Sequence, residues 1–114
     1  MPDDHSEVDG VPDATYVALQ RLYAWQSQAI DGGDADRWAS SFTEDGVFDS
    51  PTYGRPVTGR AELAAFARRV FDRLGASVQR HYPCNLVVQA VAADRVTASC
   101  YVQIVVTRPG EAPR

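Results

Sequence analysis

The feature that most constrains this chain is the alternation in its last third. From Val96 to Val106 every second residue is apolar (Val96, Ala98, Cys100, Val102, Ile104, Val106), and the residues between are Thr97, Ser99, Tyr101, Gln103 and Val105. A period of two puts each set on its own face of a β-strand, one apolar and one mixed. The preceding run, Ser77 to Ala92, is also rich in valine and aromatic residues, and Ala93-Asp94 supplies the turn between them. Strands this long twist and curl, and the mixed face is the one expected to line a pocket. Whatever else the chain does, it must build around a long antiparallel ribbon.

The rest follows a helical period. Tyr16, Leu19, Leu22, Tyr23, Trp25, Gln26, Ala29 and Ile30 recur at spacings of three and four, with Asp13 placed as an N-cap. Gly32-Gly33 ends this helix, and Asp34 caps a second, whose stripe is Trp38, Ala39 and Phe42, so the two form a hairpin. Glu44-Asp45-Gly46 is a turn, and Val47-Phe48-Asp49 a short strand that Ser50-Pro51 interrupts before Tyr53 to Thr58 resumes it. Thr58-Gly59-Arg60-Ala61-Glu62 opens a third helix, apolar at Leu63, Ala64, Phe66, Ala67, Val70, Phe71 and Leu74 and stopped by Gly75. That helix is expected to pack on a sheet. Residues 1–12 hold acids, prolines and few apolar side chains, and read as a flexible tail containing His5. The fold class is therefore α+β, with one domain from residue 13 to 114.

Charge narrows the function. All 11 basic residues are arginines, scattered among 15 acids for a net charge of −4, which argues against a nucleic-acid surface. No apolar run approaches the roughly 20 residues that span a bilayer, and Met1-Pro-Asp-Asp-His-Ser-Glu lacks the parts of a signal peptide, so a cytoplasmic protein is expected. Cys84 and Cys100 lack metal-ligand spacing and read as buried free thiols. No cluster of ligand residues, phosphate loop or nucleophile elbow is present, so neither a metal nor an organic cofactor is expected.

Three stretches carry a family likeness: Leu22-Tyr23-Ala24-Trp25 through Ala29-Ile30-Asp31-Gly32-Gly33-Asp34-Ala35-Asp36-Arg37-Trp38 to Phe42-Thr43-Glu44-Asp45-Gly46-Val47-Phe48; then Gly59-Arg60-Ala61-Glu62-Leu63; then Arg80-His81-Tyr82. Together, over residues 13 to 107, they resemble the SnoaL-like branch of the nuclear-transport-factor-two-like superfamily. The nearest pattern is that of scytalone-dehydratase-like and polyketide-cyclase-like proteins, with the β subunits of ring-hydroxylating dioxygenases more distant. The resemblance implies an α+β cone, three helices packed in a curved antiparallel sheet. It also implies two further strands after Arg108-Pro109-Gly110, so the expectation is either a truncated sheet or one completed by a partner protomer. A homodimer or larger homo-oligomer is expected, because an open sheet buries its free face against a neighbour.

The chemistry converges on Asp31 and His81. His81 is the only histidine of the domain, and its side chain titrates near neutral pH, as a general acid or base requires. Asp31 stands at the end of the first helix, where the helix dipole disfavours a negative charge. The resemblance makes His81 a catalytic residue facing the interior and Asp31 its orienting partner or the base itself. The competing readings are a histidine hydrogen-bonded in the sheet and a polar cap beside Gly32-Gly33. Asp34 and Asp36 read as cap and first-turn charges, and Asp45 as a turn residue.

Tyr23, Trp25, Trp38, Tyr53, Phe66 and Tyr101 are candidate walls for a flat hydrophobic ligand, with Asn85 and Ser99 as polar contacts from the strands. Tyr23 and Tyr53 carry phenols suited to an enolate oxygen. In the family pattern a second histidine and two tyrosines fall where Cys100, Ile30 and Ser50 stand here, so the family's own substrate does not carry over. The expected function is a cofactor-independent dehydratase or cyclase of secondary metabolism, acting on an aromatic or polycyclic polyketide by proton transfer next to a carbonyl. The alternatives are a ketosteroid-isomerase-like isomerase, and a non-catalytic ligand-binding or assembly subunit.

Overall fold

The computed structural model describes residues 11–114. Helix α1 (Asp13–Asp31) and the short helix α2 (Ala35–Ser40) are followed by strand β1 (Val47–Phe48), a single 3-10 turn (Pro51–Tyr53), strand β2 (Val57–Thr58), helix α3 (Arg60–Leu74), and strands β3 (Val78–Ala92) and β4 (Arg95–Thr107). The α+β class, the three helices and the long ribbon are present as expected, but the strand expected over Tyr53 to Thr58 is reduced to Val57–Thr58, which pairs antiparallel with β1, and Tyr53 lies in the 3-10 turn. Differences lie at the joints. Pro12, not Asp13, is the N-cap of α1, and its carbonyl accepts from the Thr15 and Tyr16 N–H groups. Val11 is buried, so the packed part of the domain extends past the expected boundary at residue 13; the rest of the expected tail, with His5, lies outside the described residues.

Between α1 and α2 the backbone reverses in three residues. The Gly32 and Asp34 N–H groups satisfy the last carbonyls of α1 at Gln28 and Ala29, while Asp34 Oδ1 accepts from the Arg37 N–H at 3.2 Å. Gly33 has φ +78°, and a Cβ there would meet the Phe71 ring at 2.8 Å, so both the turn and the seat of α3 require a glycine. Asp31 is thereby the last residue of α1.

Two antiparallel sheets form, β1 with β2 and β3 with β4. In the long ribbon His81 pairs with Ile104, Pro83 with Val102 and Cys84 with Tyr101, and the register shifts between Cys84 and Val87. Asn85, in that irregular stretch, has φ +56°. Fifteen strand residues at about 3.3 Å each reach about 50 Å, matching the molecule's longest dimension of 53 Å. Past the turn at Pro109-Gly110 the chain comes back to β4, where Val106 and Arg114 exchange backbone hydrogen bonds of 2.5 and 2.9 Å.

The core is helical. Ala29, Ala35, Trp38, Ala39, Leu63, Ala64, Phe66 and Ala67 form one buried cluster, with Ile30, Phe42, Phe48, Val57 and Val70 against it. The third helix meets a sheet, as expected, but the short one: α3 lies on α2 and touches β2, and it is α1 that lies along β3. The reason is the small-residue stripe Ala64 and Ala67 on α3, which admits the close approach of Ala35 and Ala39 on α2 and leaves the ribbon to the bulkier face of α1.

Candidate active site

Asp31 and His81 meet, 50 residues apart in sequence. Asp31 Oδ1 is 2.5 Å from His81 Nδ1, and Oδ2 accepts the His81 backbone N–H at 2.8 Å. Both oxygens are thus held by one residue, one by its backbone N–H and one by its ring. The Asp31 side chain is 7% exposed and that of His81 23%. Nδ1 faces Asp31, and Nε2, among the described residues, has no protein partner. The imidazole is bonded to the end of α1 and not to a neighbouring strand, and Asp31 accepts from His81 and not from a helical N–H.

The pair is reached from two sides. A cavity of about 450 Å3 has Tyr23, Gln26, Ser27 and Ile30 of α1 on one side, Gln79, His81, Pro83, Cys100, Val102 and Ile104 of the ribbon opposite, and Trp38, Phe48, Tyr53 and Phe66 at its end. A second hollow, bounded by Ala24, Gln28, Asp31, Arg80 and Tyr82, opens on the other side of the imidazole. The aromatic end is a continuous stack. Trp38 meets Phe42 edge-on at 4.9 Å, Phe48 lies 5.3 Å from Phe66, and Tyr53 meets Phe66 at 4.9 Å and 88°. Such contacts add about 0.5–1.5 kcal/mol each beyond burial.

Tyr23 is the perturbed group. Burial pushes its phenol above the ordinary 10.0, and charge repulsion from Cys100 adds to the shift. At neutral pH Tyr23 is therefore a hydrogen-bond donor inside the cavity.

Of the residues expected to line a ligand, Tyr23, Trp38, Tyr53 and Phe66 do so beside His81. Four others are placed elsewhere. Trp25 is turned away, its ring covered by the Arg37 guanidinium at 4.6 Å. Asn85 borders a separate hollow with Tyr16 and Gln20. Ser99 is exposed, and Tyr101 is 73% exposed on the outer face of β4. For Ser99 and Tyr101 the cause is the choice of strand face. The apolar face of β4, not the mixed one, turns inward, because His81, Pro83 and Gln79 pair with its even-numbered residues. Cys100 consequently lines the cavity and Cys84 is exposed on the other face, so the two thiols are free but not buried.

Gln26 and Ser27 were not expected. Their signal was present: three and four residues after Tyr23 they share its helical face, as Ile30 and Asp31 do. Gln26 Nε2 donates to Ser41 Oγ at 2.7 Å, which anchors its amide at the cavity wall. Among the described residues no group of three or more His, Cys, Asp or Glu side chains gathers around a point suited to a metal ion, and no helix is long and apolar enough to cross a membrane.

A family model described as a SnoaL-like domain matches residues 14–114. No curated protein sequence matches the chain. Among solved structures, Aln2 from a Streptomyces species is 28% identical with a TM-score of 0.81, covering 91% of this chain and 74% of its own. A protein from Catenulispora acidiphila, solved in complex with S-DNPA, is 31% identical with a TM-score of 0.74, covering 85% and 70%. ActVI-ORFA from Streptomyces coelicolor is 25% identical with a TM-score of 0.77, covering 89% and 76%.

Proposed function

The chain belongs to the SnoaL-like family, and from that premise we propose that it is a dehydratase or cyclase that acts on an aromatic or polycyclic polyketide-like ketone by acid/base proton transfer. The observation that carries this reading is the Asp31–His81 pair, a doubly held carboxylate orienting an imidazole whose Nε2 has no other protein partner among the described residues.

The chemistry follows from the geometry. His81 Nε2 takes the proton from the carbon next to the substrate carbonyl, and the electron pair of the broken C–H bond moves onto the carbonyl oxygen as an enolate. Asp31 stabilises the imidazolium that forms, since its hydrogen bond becomes a charge-assisted one in a site of low exposure. Tyr23, kept protonated by burial, donates to the enolate oxygen. In elimination the enolate reforms the carbonyl, a double bond forms between the α and β carbons, and the β-hydroxyl leaves with the proton from Nε2 as water. In cyclisation the same enolate carbon attacks a second carbonyl, whose oxygen takes that proton. A flat apolar cavity bounded by Trp38 and Phe66 favours aromatic substrates, and burying a fused ring there keeps bulk water from the enolate.

The test is turnover of a panel of aromatic β-hydroxyketones, followed by loss of water in the product mass. Removing a positioned general base costs about 10²–10⁴-fold, so His81→Ala is expected to lose that much in kcat/KM while its unfolding midpoint stays close to that of the wild type. Wild-type activity in His81→Ala would refute the assignment.

A further inference from the structure

We propose that the groove next to the His81 cavity receives an anionic tail of the substrate, a carboxylate or a phosphate, through Arg55, Arg69 and Arg73. The proposal extends the reading above, which concerns the ketone end of the same ligand.

The groove has a volume of about 540 Å3 and lies between the 3-10 turn and α3. Arg69 and Arg73 stand one helical turn apart on α3, and Arg55 faces them from the segment leading into β2. Glu62 is the one carboxylate among the lining residues, and its Oε2 is engaged with the Thr58 N–H at 3.2 Å. The lining therefore holds three guanidiniums against one carboxylate in a chain whose net charge is −4.

Three other arginines near α3 have partners. Arg68 pairs with Asp36, Arg60 Nε donates to the Phe42 carbonyl, and Arg37 covers Trp25. Among the described residues no ion pair or hydrogen bond engages the guanidinium of Arg55, Arg69 or Arg73. Three like charges facing one groove repel one another, and an oxyanion relieves that repulsion while matching the planar donor forks of guanidinium.

The groove adjoins the cavity. Thr52, Tyr53, Phe66 and Val70 line both, with the Tyr53 ring standing edge-on to Phe66 as the partition. A ligand with its ring system against Trp38 and its ketone at His81 extends its tail past Tyr53 to the arginines. Each end is recognised by a different physics: dispersion and burial for the rings, charge for the tail. The class is then an aromatic ketone bearing an acid side chain, or one attached through a phosphate-containing arm.

The experiment is calorimetric titration of three matched compounds, naphthylacetic acid, its methyl ester and naphthylmethyl phosphate, into the wild type, Arg69→Gln/Arg73→Gln and His81→Ala. In the wild type an anion is expected to bind about tenfold tighter than the ester, with the preference falling as salt is raised. The double variant is expected to lose the preference and keep the ester affinity, and His81→Ala is expected to keep the preference. The tighter of the two anions assigns the source of the tail. Equal binding of all three compounds by the wild type, or an unchanged preference in the double variant, overturns the proposal and leaves the acid/base reading intact. Binding of none at their solubility limit overturns it together with the aromatic-ligand reading, whereas loss of turnover in His81→Ala bears on the acid/base reading alone.

Discussion

The helical end of the molecule and the β3–β4 ribbon are built by different rules. In α1, α2 and α3 the buried side chains form a single cluster closed by stacked rings, with Leu63 at 0% exposure. The ribbon has 28 strand residues (15 in β3 and 13 in β4), of which only Val88 is buried among the described residues. Tyr82, Val87, Val91, Tyr101, Val102 and Ile104 are all exposed. The Asp31–His81 pair takes one member from each part, Asp31 from the end of a packed helix and His81 from the ribbon. A rigid half thus supplies the orienting carboxylate and the cavity's end, and an extended half supplies the imidazole and the cavity's long wall. The double hydrogen bond between Asp31 and His81 is one of the ties that hold the ribbon to the helices, so the geometry of the pair and the docking of the ribbon are coupled.

The contrast is sharpest for Leu63→Ala. Truncating a fully buried leucine costs about 2–5 kcal/mol, and chemical denaturation is expected to show a loss in that range with the urea slope unchanged. A cost below about 1 kcal/mol would mean that the helical cluster is not where stability resides. On the ribbon, Tyr101→Ser removes a side chain that is 73% exposed on the outer face. Its expected effect is within about 0.5 kcal/mol and leaves kcat/KM unchanged; a large loss of activity would place Tyr101 back at the site.

The smallest effect concerns the interface between the two parts, where Tyr23 of α1 faces Cys100 of β4. Burial raises the folded-state pKa of the phenol above 10.0, so the folded protein holds that proton more tightly than the unfolded chain does. The associated stability is complete below pH 10.0 and is lost as pH rises from there through the folded-state value. Tyr23→Phe is expected to flatten the decline of stability in that alkaline window, measured by denaturant midpoints across it. Identical slopes for the two proteins would place the ionising group elsewhere.

The pairing of Asp31 with His81 was legible because each residue is chemically conspicuous and the family pattern links them. Tyr23 was legible for a local reason, being two turns before Asp31 on one helix face. Ser99 and Tyr101 were misplaced because the alternation of β4 defines two faces without naming the inner one. A ribbon free on one side exposes apolar residues whichever way it faces, and the inward choice is made by the register with β3, where Ile104 lies opposite His81. Trp25 was misplaced for a related reason: a wide apolar stripe on a helix does not say which edge meets the ligand, and Arg37 covers that ring from α2.

The sequence by itself determined the elements, their order and their stops. Helical and strand periods, the Gly32-Gly33 reversal and the Asp34 cap are set by backbone sterics and nearest-neighbour hydrogen bonds, which act over a few residues. Only the tertiary structure decided which strand face is the wall, that α3 rests on α2 instead of the ribbon, and that Arg55 joins Arg69 and Arg73 beside Tyr53. Those outcomes depend on packing between segments distant in the chain, where shape and charge are matched in three dimensions and no local period records the match.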